Sequence, residues 1–210
     1  MKTSTSQVRE ARSPETGRRR QGWRAGDLAL IAVFAALIAT MGMLPAIPVG
    51  GVGVPITLQS LAVILTGLVL GPARGFAATA LYVVVGLIGI PVFAGFTGGI
   101  GVLAKPSAGY IIAFPLVSAL AGLLALIVVR KMKRAWHIPL LFVAGLLASF
   151  TFMHPLGIAG IMVNAGLDLR AAIAADAIFI PGDVIKNVVA ALIAGTVHRA
   201  FPDLLARRRA

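Results

Sequence analysis

The stretch GYIIAFPLVSALAGLLALIVV, residues 109–129, holds no charged residue and ends against Arg130-Lys131-Met132-Lys133-Arg134. A helix of about 20 apolar residues crosses the hydrocarbon core of a bilayer. A basic cluster at one end of such a run marks the side on which the helix stops. The composition of the whole chain agrees. Of 210 residues, 59% are apolar and 12% charged, and the mean hydropathy is +0.96. A soluble domain has about 45–50% apolar and about 25% charged residues. Too little polar surface is present to cover a water-soluble globule. A cytosolic enzyme, a secreted domain and a disordered chain are thereby excluded, and an all-α integral membrane protein is expected.

Five further apolar segments flank this one. The first spans Asp27 to Leu44, with Asp27 placed to cap it, and ends at Pro45, Pro48 and Gly50-Gly51-Val52-Gly53. The second opens near Pro55 and stops at Gly71-Pro72, and the third runs from about Arg74 to Gly89. Residues 91–109 are rich in glycine yet still apolar, which suggests a loop folded at membrane depth against protein, where irregular backbone is tolerated. The fifth segment covers Ile138 to Val163, with a kink expected at Pro155. A polar stretch from Asn164 to Asp176 follows. The last span starts at Pro181, a favoured first helical position, and reaches Arg199. The expected architecture is six transmembrane helices (residues 27–200) between a basic tail (1–26) and a basic C-terminus (201–210).

Charge orients the bundle. The net charge is +12, and its Lys and Arg residues cluster beside apolar runs, so they read as topology signals and not as a nucleic-acid footprint. With both termini cytoplasmic, the inside segments collect 16 of the 19 Lys and Arg residues; Lys105, Arg170 and Lys186 fall on the other side. The chain has no cysteine, so disulfides and thiolate chemistry are absent. No internal repeat is visible. His137, His154 and His198 are scattered near helix ends, and neither H-E-x-x-H nor a Gly-x-Ser-x-Gly elbow occurs. Asp183 has no second carboxylate embedded in another apolar span. Catalytic residues and metal ligands are therefore not expected.

Ionisable residues inside a membrane span are costly and mark function by default. One cluster qualifies: Pro181-Gly182-Asp183-Val184-Ile185-Lys186-Asn187. Asp183 falls in the first turn of its helix, where negative charge is favoured. Lys186 and Asn187, three and four residues on, share its face. An acceptor, a cation and an amide suit a small molecule with amide-like and carboxylate groups; an internal ion pair that fixes packing is the alternative. In the glycine-rich run, Gly98, Gly99 and Gly101 would let backbone approach a ligand closely, while Lys105 and Tyr110 offer a charge and an aromatic wall. Thr79 and Tyr82 lie on one face of the third helix, and Thr57 and Gln59 sit at the outer end of the second. The first helix carries two overlapping small-xxx-small patterns, Ala32-xxx-Ala36 and Ala35-xxx-Ala39, which allow close approach of another helix.

Taken together, Pro55-Ile56-Thr57-Leu58-Gln59, Tyr82 with Gly86 and Gly89, Pro91-Val92-Phe93, Pro106-Ser107-Ala108-Gly109-Tyr110 and Pro181-Gly182-Asp183-Val184-Ile185-Lys186 resemble the BioY family in order and spacing. The resemblance covers about Leu28 to Gly195. It implies the biotin-binding S component of an energy-coupling factor transporter, in a bacterial inner membrane, with an outward-facing pocket that includes Phe93. It implies biotin as transported ligand and no cofactor. It also implies partners: a transmembrane coupling protein docked on Ala32 and Ala36, and two cytoplasmic ATPases. A self-contained secondary transporter or channel for a small organic acid is the competing reading.

Overall fold

The computed structural model describes residues 23–49 and 51–206. The tail to residue 22, Gly50 and Arg207 to Arg209, named above as topology or loop features, lie outside the described residues. Within them the protein is helical, with no strand and two isolated antiparallel bridges, Ile47 to Ile56 and Phe93 to Thr97. The helices are α1 (Ala25–Met43), α2 (Gln59–Leu70), α3 (Pro72–Leu87), α4 (Ala108–Lys131), α5 (His137–Ala148), α6 (His154–Ala165), α7 (Leu169–Ala177), α8 (Ile180–Ala200) and α9 (Asp203–Ala206). Four helical runs are long and apolar enough to cross a membrane: α1, α4, the continuous 32-residue run Arg134–Ala165, and α8. Two shorter apolar helices, α2 and α3, complete the bundle.

The short pair decides where the cavity lies. At 1.5 Å per residue, α2 and α3 both fall short of the ~30 Å core. The missing length is made up by irregular chain at one end, residues 44–58 before α2 and 88–107 after α3. Helix α2 begins at Gln59, not near Pro55, because Ile56 is bonded to Ile47 through both backbone groups at 2.9 Å. At the opposite end α2 passes to α3 through Gly71 alone, whose φ of +79° permits a turn that other residues resist. Arg74 is more than a topology signal. It donates to the carbonyls of Leu70 (3.0 Å) and Leu204 (2.6 Å) and pairs with Asp27 at 3.3 Å. Asp27 itself lies inside the first turn of α1, where it accepts from the Arg24 backbone N–H at 3.2 Å.

Helix α4 is the centre of the bundle, packed by α2, α3, α5 and α6; α8 closes on α2 and α5, and α1 lies outermost against α3 and α2. The interior is small and apolar. Ala78, Ala113, Ala121, Ala125, Ala144, Ala148, Ala190, Ala191 and Ala194 are all buried. Small residues let backbones approach where lipid supplies no hydrophobic drive between helices. The α4–α6 crossing shows this at its tightest: a Cβ on Gly109 would strike the Leu156 carbonyl, and one on Gly160 would meet the Gly109 nitrogen at 2.6 Å. The outer surface carries exposed Ile112, Leu116, Leu123 and Ile127 on α4 and Ile185, Val188, Leu192 and Ile193 on α8, an exterior suited to lipid. Leu205 of α9 is buried in the main core, so the chain beyond α8 packs on the bundle.

Two departures from the sequence reading concern the later helices. The kink expected at Pro155 is resolved as a π turn, Ser149–Met153, between α5 and α6. A proline cannot donate to the preceding turn and its ring crowds the carbonyl four residues back; a wider turn just before it relieves both. The polar stretch Asn164 to Asp176, to which the sequence reading gave no element, is largely helical. It contains α7, capped by Asp168, whose carboxylate accepts from the Ala171 N–H at 2.8 Å.

Candidate functional site

A cavity of about 250 Å³ occupies the loop end of the bundle, opposite the basic residues at the C-terminal end of α4. Its walls come from every part of the chain that the short helices leave irregular. Gly53 to Thr57 and Phe93 to Gly95 form one side; Thr97, Lys105 and Ser107 form the rim. Tyr110, Ile111 and Phe114 project from α4, Met153 from the π turn, and Phe179 from the turn between α7 and α8. Gln59 and Ser60 enter from the start of α2, and Asp183 and Lys186 from the start of α8. The result is a largely apolar pocket with a few converging polar groups, the usual character of a small-molecule site.

The polar floor is a tight network. Lys186 Nζ donates to Asp183 Oδ1 at 2.9 Å and to Ser60 Oγ at 3.0 Å, and Ser60 Oγ donates to the same Asp183 oxygen at 3.2 Å. The ion pair is nearly out of reach of water, with side chains 11% and 9% exposed. Among the described residues Asp183 Oδ2 accepts no hydrogen bond, and His154 Nε2 stands 4.0 Å from it. His154 Nδ1 is bonded to Asp176 Oδ2 at 2.8 Å, and the Tyr110 hydroxyl donates to Asp176 Oδ1 at 2.6 Å. Four helices therefore meet in one polar chain: α4 through Tyr110, α7 through Asp176, α6 through His154 and α8 through Asp183. The second carboxylate of this cluster, Asp176, stands on the far side of the His154 ring from Asp183. It comes from α7, a helix the sequence reading did not place.

Seven of the residues singled out from the sequence line the cavity: Thr57, Gln59, Phe93, Lys105, Tyr110, Asp183 and Lys186. The others do not. Tyr82 is buried beneath the wall, where its hydroxyl is bonded to Gln59 Nε2 and to the Val92 carbonyl and its ring packs edge-on against Phe93 at 5.4 Å. It fixes lining residues and does not line. Thr79 bonds back to the Gly75 carbonyl of its own helix, on a helix that packs against α1, α2 and α4. Asn187 sits one turn deeper, bonded to the Asp183 carbonyl at 2.8 Å and packed against Gly145 of α5. Gly98 and Gly99 serve the loop's own fold: Gly99 has φ +86° and bonds to the Gly86 carbonyl at 2.7 Å, and a Cβ on Gly98 would meet the Ile90 carbonyl at 2.5 Å; Gly101 lies in the short helical turn Ile100–Ala104 and is not among the lining residues. Gly95, not among the glycines picked from the sequence, is the one of that loop that reaches the cavity.

Sequence reasoning missed Ser60, Thr97, Ser107, Phe114, Met153 and Phe179 as lining residues, and the pair His154 and Asp176 behind them. Ser60 had a signal, a second polar residue directly after Gln59 in an apolar run. The aromatic and thioether lining had none, because nothing separates a cavity-facing Phe from a core Phe in one sequence. Ala32 and Ala36 lie on the exposed face of α1, whereas Ile31, Ala35, Ile38 and Gly42 face the bundle.

A model of the BioY family matches residues 12–203. The chain belongs to the BioY family. It is 42% identical over 194 residues to the biotin transporter BioY of Rhodobacter capsulatus, covering 87% of this chain and 98% of that protein. It is 37% identical over 182 residues to the biotin transporter BioY of Rhizobium etli, covering 86% and 97%. Its fold matches the crystal structure of the S-component for biotin from an ECF-type ABC transporter, with a TM-score of 0.73, 28% identity, and coverage of 83% of this chain and 91% of that one.

Proposed function

We propose that this chain is the biotin-binding S component of an ECF-type transporter and not an enzyme. The observation that carries the reading is the cavity itself. An apolar slot ends in an ion pair whose second carboxylate oxygen accepts no hydrogen bond among the described residues, in a chain that matches the Rhodobacter capsulatus BioY over nearly that protein's whole length. Biotin joins a neutral ureido ring, which needs both donors and acceptors, to a carboxylate on a flexible chain. The ring is assigned to Asp183, Lys186 and Ser60, and the chain lies along Phe114 and Tyr110 toward Lys105 at the rim. Gln59 and Phe93 complete the wall, with Tyr82 holding both.

Six spans are assigned, α2 and α3 crossing as short helices and α5 with α6 crossing as one. Both basic ends and the segment 130–137 are cytoplasmic, residues 27–200 form the membrane domain, and the cavity opens to the outside of a bacterial inner membrane. Helix α1 presents Ala32 and Ala36 to a transmembrane coupling protein served by two ATPases, so energy is supplied by partners and no cofactor is required. The test is equilibrium binding of labelled biotin to the purified chain, followed by uptake into liposomes lacking partners and ATP. Saturable binding without uptake is expected. Partner-free uptake would favour a self-contained transporter, and absence of binding would overturn the assignment.

A further inference from the structure

The end of the bundle opposite the biotin cavity holds a second cavity, of about 370 Å³. It lies where the last turns of α4 and α8 meet the start of α5. Arg130 comes from α4, Arg134 from the link to α5, His137 from the first turn of α5 and His198 from the last turn of α8. Among the described residues no carboxylate lines it, and Asp203, next along from its lining residue Pro202, is exposed. Little of the donor capacity here is spent within the protein. Arg130 gives one N–H to the Leu205 carbonyl at 2.9 Å, out of the five a guanidinium carries. Arg134 is exposed. His137 and His198 are each tied by Nε2 to a backbone carbonyl, that of Met132 at 3.2 Å and that of Leu68 at 2.9 Å. His198 is 3% exposed, and its Nδ1 has no partner among the described residues. Buried polar atoms are nearly always satisfied. An orphaned ring nitrogen on the wall of a cavity that also holds two guanidiniums therefore marks the place of a polar, anionic group.

The surroundings point to lipid as its source. Met132 and Trp136 are 46% and 60% exposed at this end, and Leu123 and Ile127 face outward along α4. Tryptophan is enriched at the level of lipid headgroups, and basic pockets between helices on the cytoplasmic side of a membrane protein hold anionic headgroups. We propose that this cavity binds the phosphate of an anionic phospholipid of the cytoplasmic leaflet, with Arg130 and Arg134 on the phosphate and His198 Nδ1 on a headgroup hydroxyl. Guanidinium and phosphate pair through parallel charge-assisted hydrogen bonds. A hydroxyl both donates and accepts, so it satisfies the ring nitrogen with or without a proton there. The acyl chains run along the exposed face of α4. The site depends on the chain spanning a membrane and not on what the other cavity binds, so a chain that failed to bind biotin would leave it standing.

Native mass spectrometry of the full chain in detergent counts the lipids each protein retains. Phosphatidylglycerol, phosphatidylmethanol (the same charge without the hydroxyls) and phosphatidylcholine are titrated separately. The parent should hold one phosphatidylglycerol at a concentration at least about tenfold lower than phosphatidylcholine needs, with phosphatidylmethanol between them. R130Q/R134Q should lose that preference. K131Q/K133Q removes the same charge from side chains that do not line the cavity and should keep it. Equal losses in the two double variants would place the effect in diffuse surface charge and overturn the proposal. Equal retention of phosphatidylglycerol and either other lipid would overturn it as well. Millimolar inorganic phosphate should leave the lipid in place; displacement would make free phosphate the ligand and refute the lipid assignment. A melting curve shows whether R130Q/R134Q folds. Where it does not, R134Q, at an exposed position, carries the test with a several-fold loss, and parent-like retention by R134Q then refutes the site.

Discussion

Asp183→Asn is the most direct probe of the cavity floor. The substitution keeps the volume and leaves an oxygen able to accept, so the charge is what changes. In the parent, Oδ1 is shared by Lys186 at 2.9 Å and Ser60 at 3.2 Å. Removing one partner of a buried ion pair costs roughly 3–5 kcal/mol. Both side chains keep about a tenth of their exposure, and the residual screening places the cost near the bottom of that range, about 3 kcal/mol. This part appears in the empty protein as lowered thermal stability. The part felt by the ligand is a hydrogen bond that changes from charged to neutral. Bonds to charged groups contribute about 1.5–3 kcal/mol, so biotin affinity should fall by roughly 10- to 150-fold. The assay is equilibrium binding of labelled biotin to purified protein in detergent or nanodiscs, with a melting curve on the same preparation. Lys186→Met is the companion. If both variants bind as the parent does while melting lower, the pair serves packing alone and the placement of the ureido ring on it is wrong.

Lys105 is exposed at the rim, so its contact with the biotin carboxylate should contribute about 0.2–1 kcal/mol. Lys105→Ala and the parent should then bind biotin amide about equally, and the preference for biotin over its amide should shrink in the variant. If that preference persists in Lys105→Ala and disappears in Lys186→Met, the ligand lies the other way round. On α1, Ala36→Trp adds a ring to an exposed position, so the isolated chain should fold and bind biotin as before. Co-purification with the coupling protein and uptake in cells should fail; loss of binding by the isolated variant would mean that this face is internal.

Much of this architecture was legible in the sequence because a bilayer imposes a coarse rule. Spans declare themselves by length and apolarity, and α1, α4 and α8 begin and end within a few residues of where the charges and prolines put them. Asp183 and Lys186 were legible for the same reason, as charges inside an apolar run. What escaped was set by contacts distant in sequence. Helix α7 is short and alanine-rich, and it is held by Asp176 reaching Tyr110 and His154 and by Ala172 packing on Ile161 and Val54. Tyr82 and Asn187 were read from periodicity as facing a ligand, but periodicity gives a face and not a depth. Both point inward and stop one layer short of the cavity. Gly98 was read as making room for a ligand, whereas it makes room for the backbone of Gly89 and Ile90.

The π turn at Ser149–Met153 has a consequence for how this chain tolerates change in length. It places one extra residue in a helical turn, so all that follows is rotated by about 100° from where an unbroken α-helix would carry it. With that phase, α5 keeps Leu141 and Ala144 in the core while α6 turns Gly157 to the Tyr110 ring and Gly160 to Gly109. Deleting any one residue of the bulge removes little by itself, yet it exchanges the whole inward stripe of α6 for a neighbouring one. Leu156 or Ile158 would then be driven toward a crossing that accepts only hydrogen. Within this helix, chain length is therefore a stricter constraint than side-chain identity. Substitutions among Ser149, Phe150 and Thr151 alter local packing, but a deletion there resets the geometry of the site.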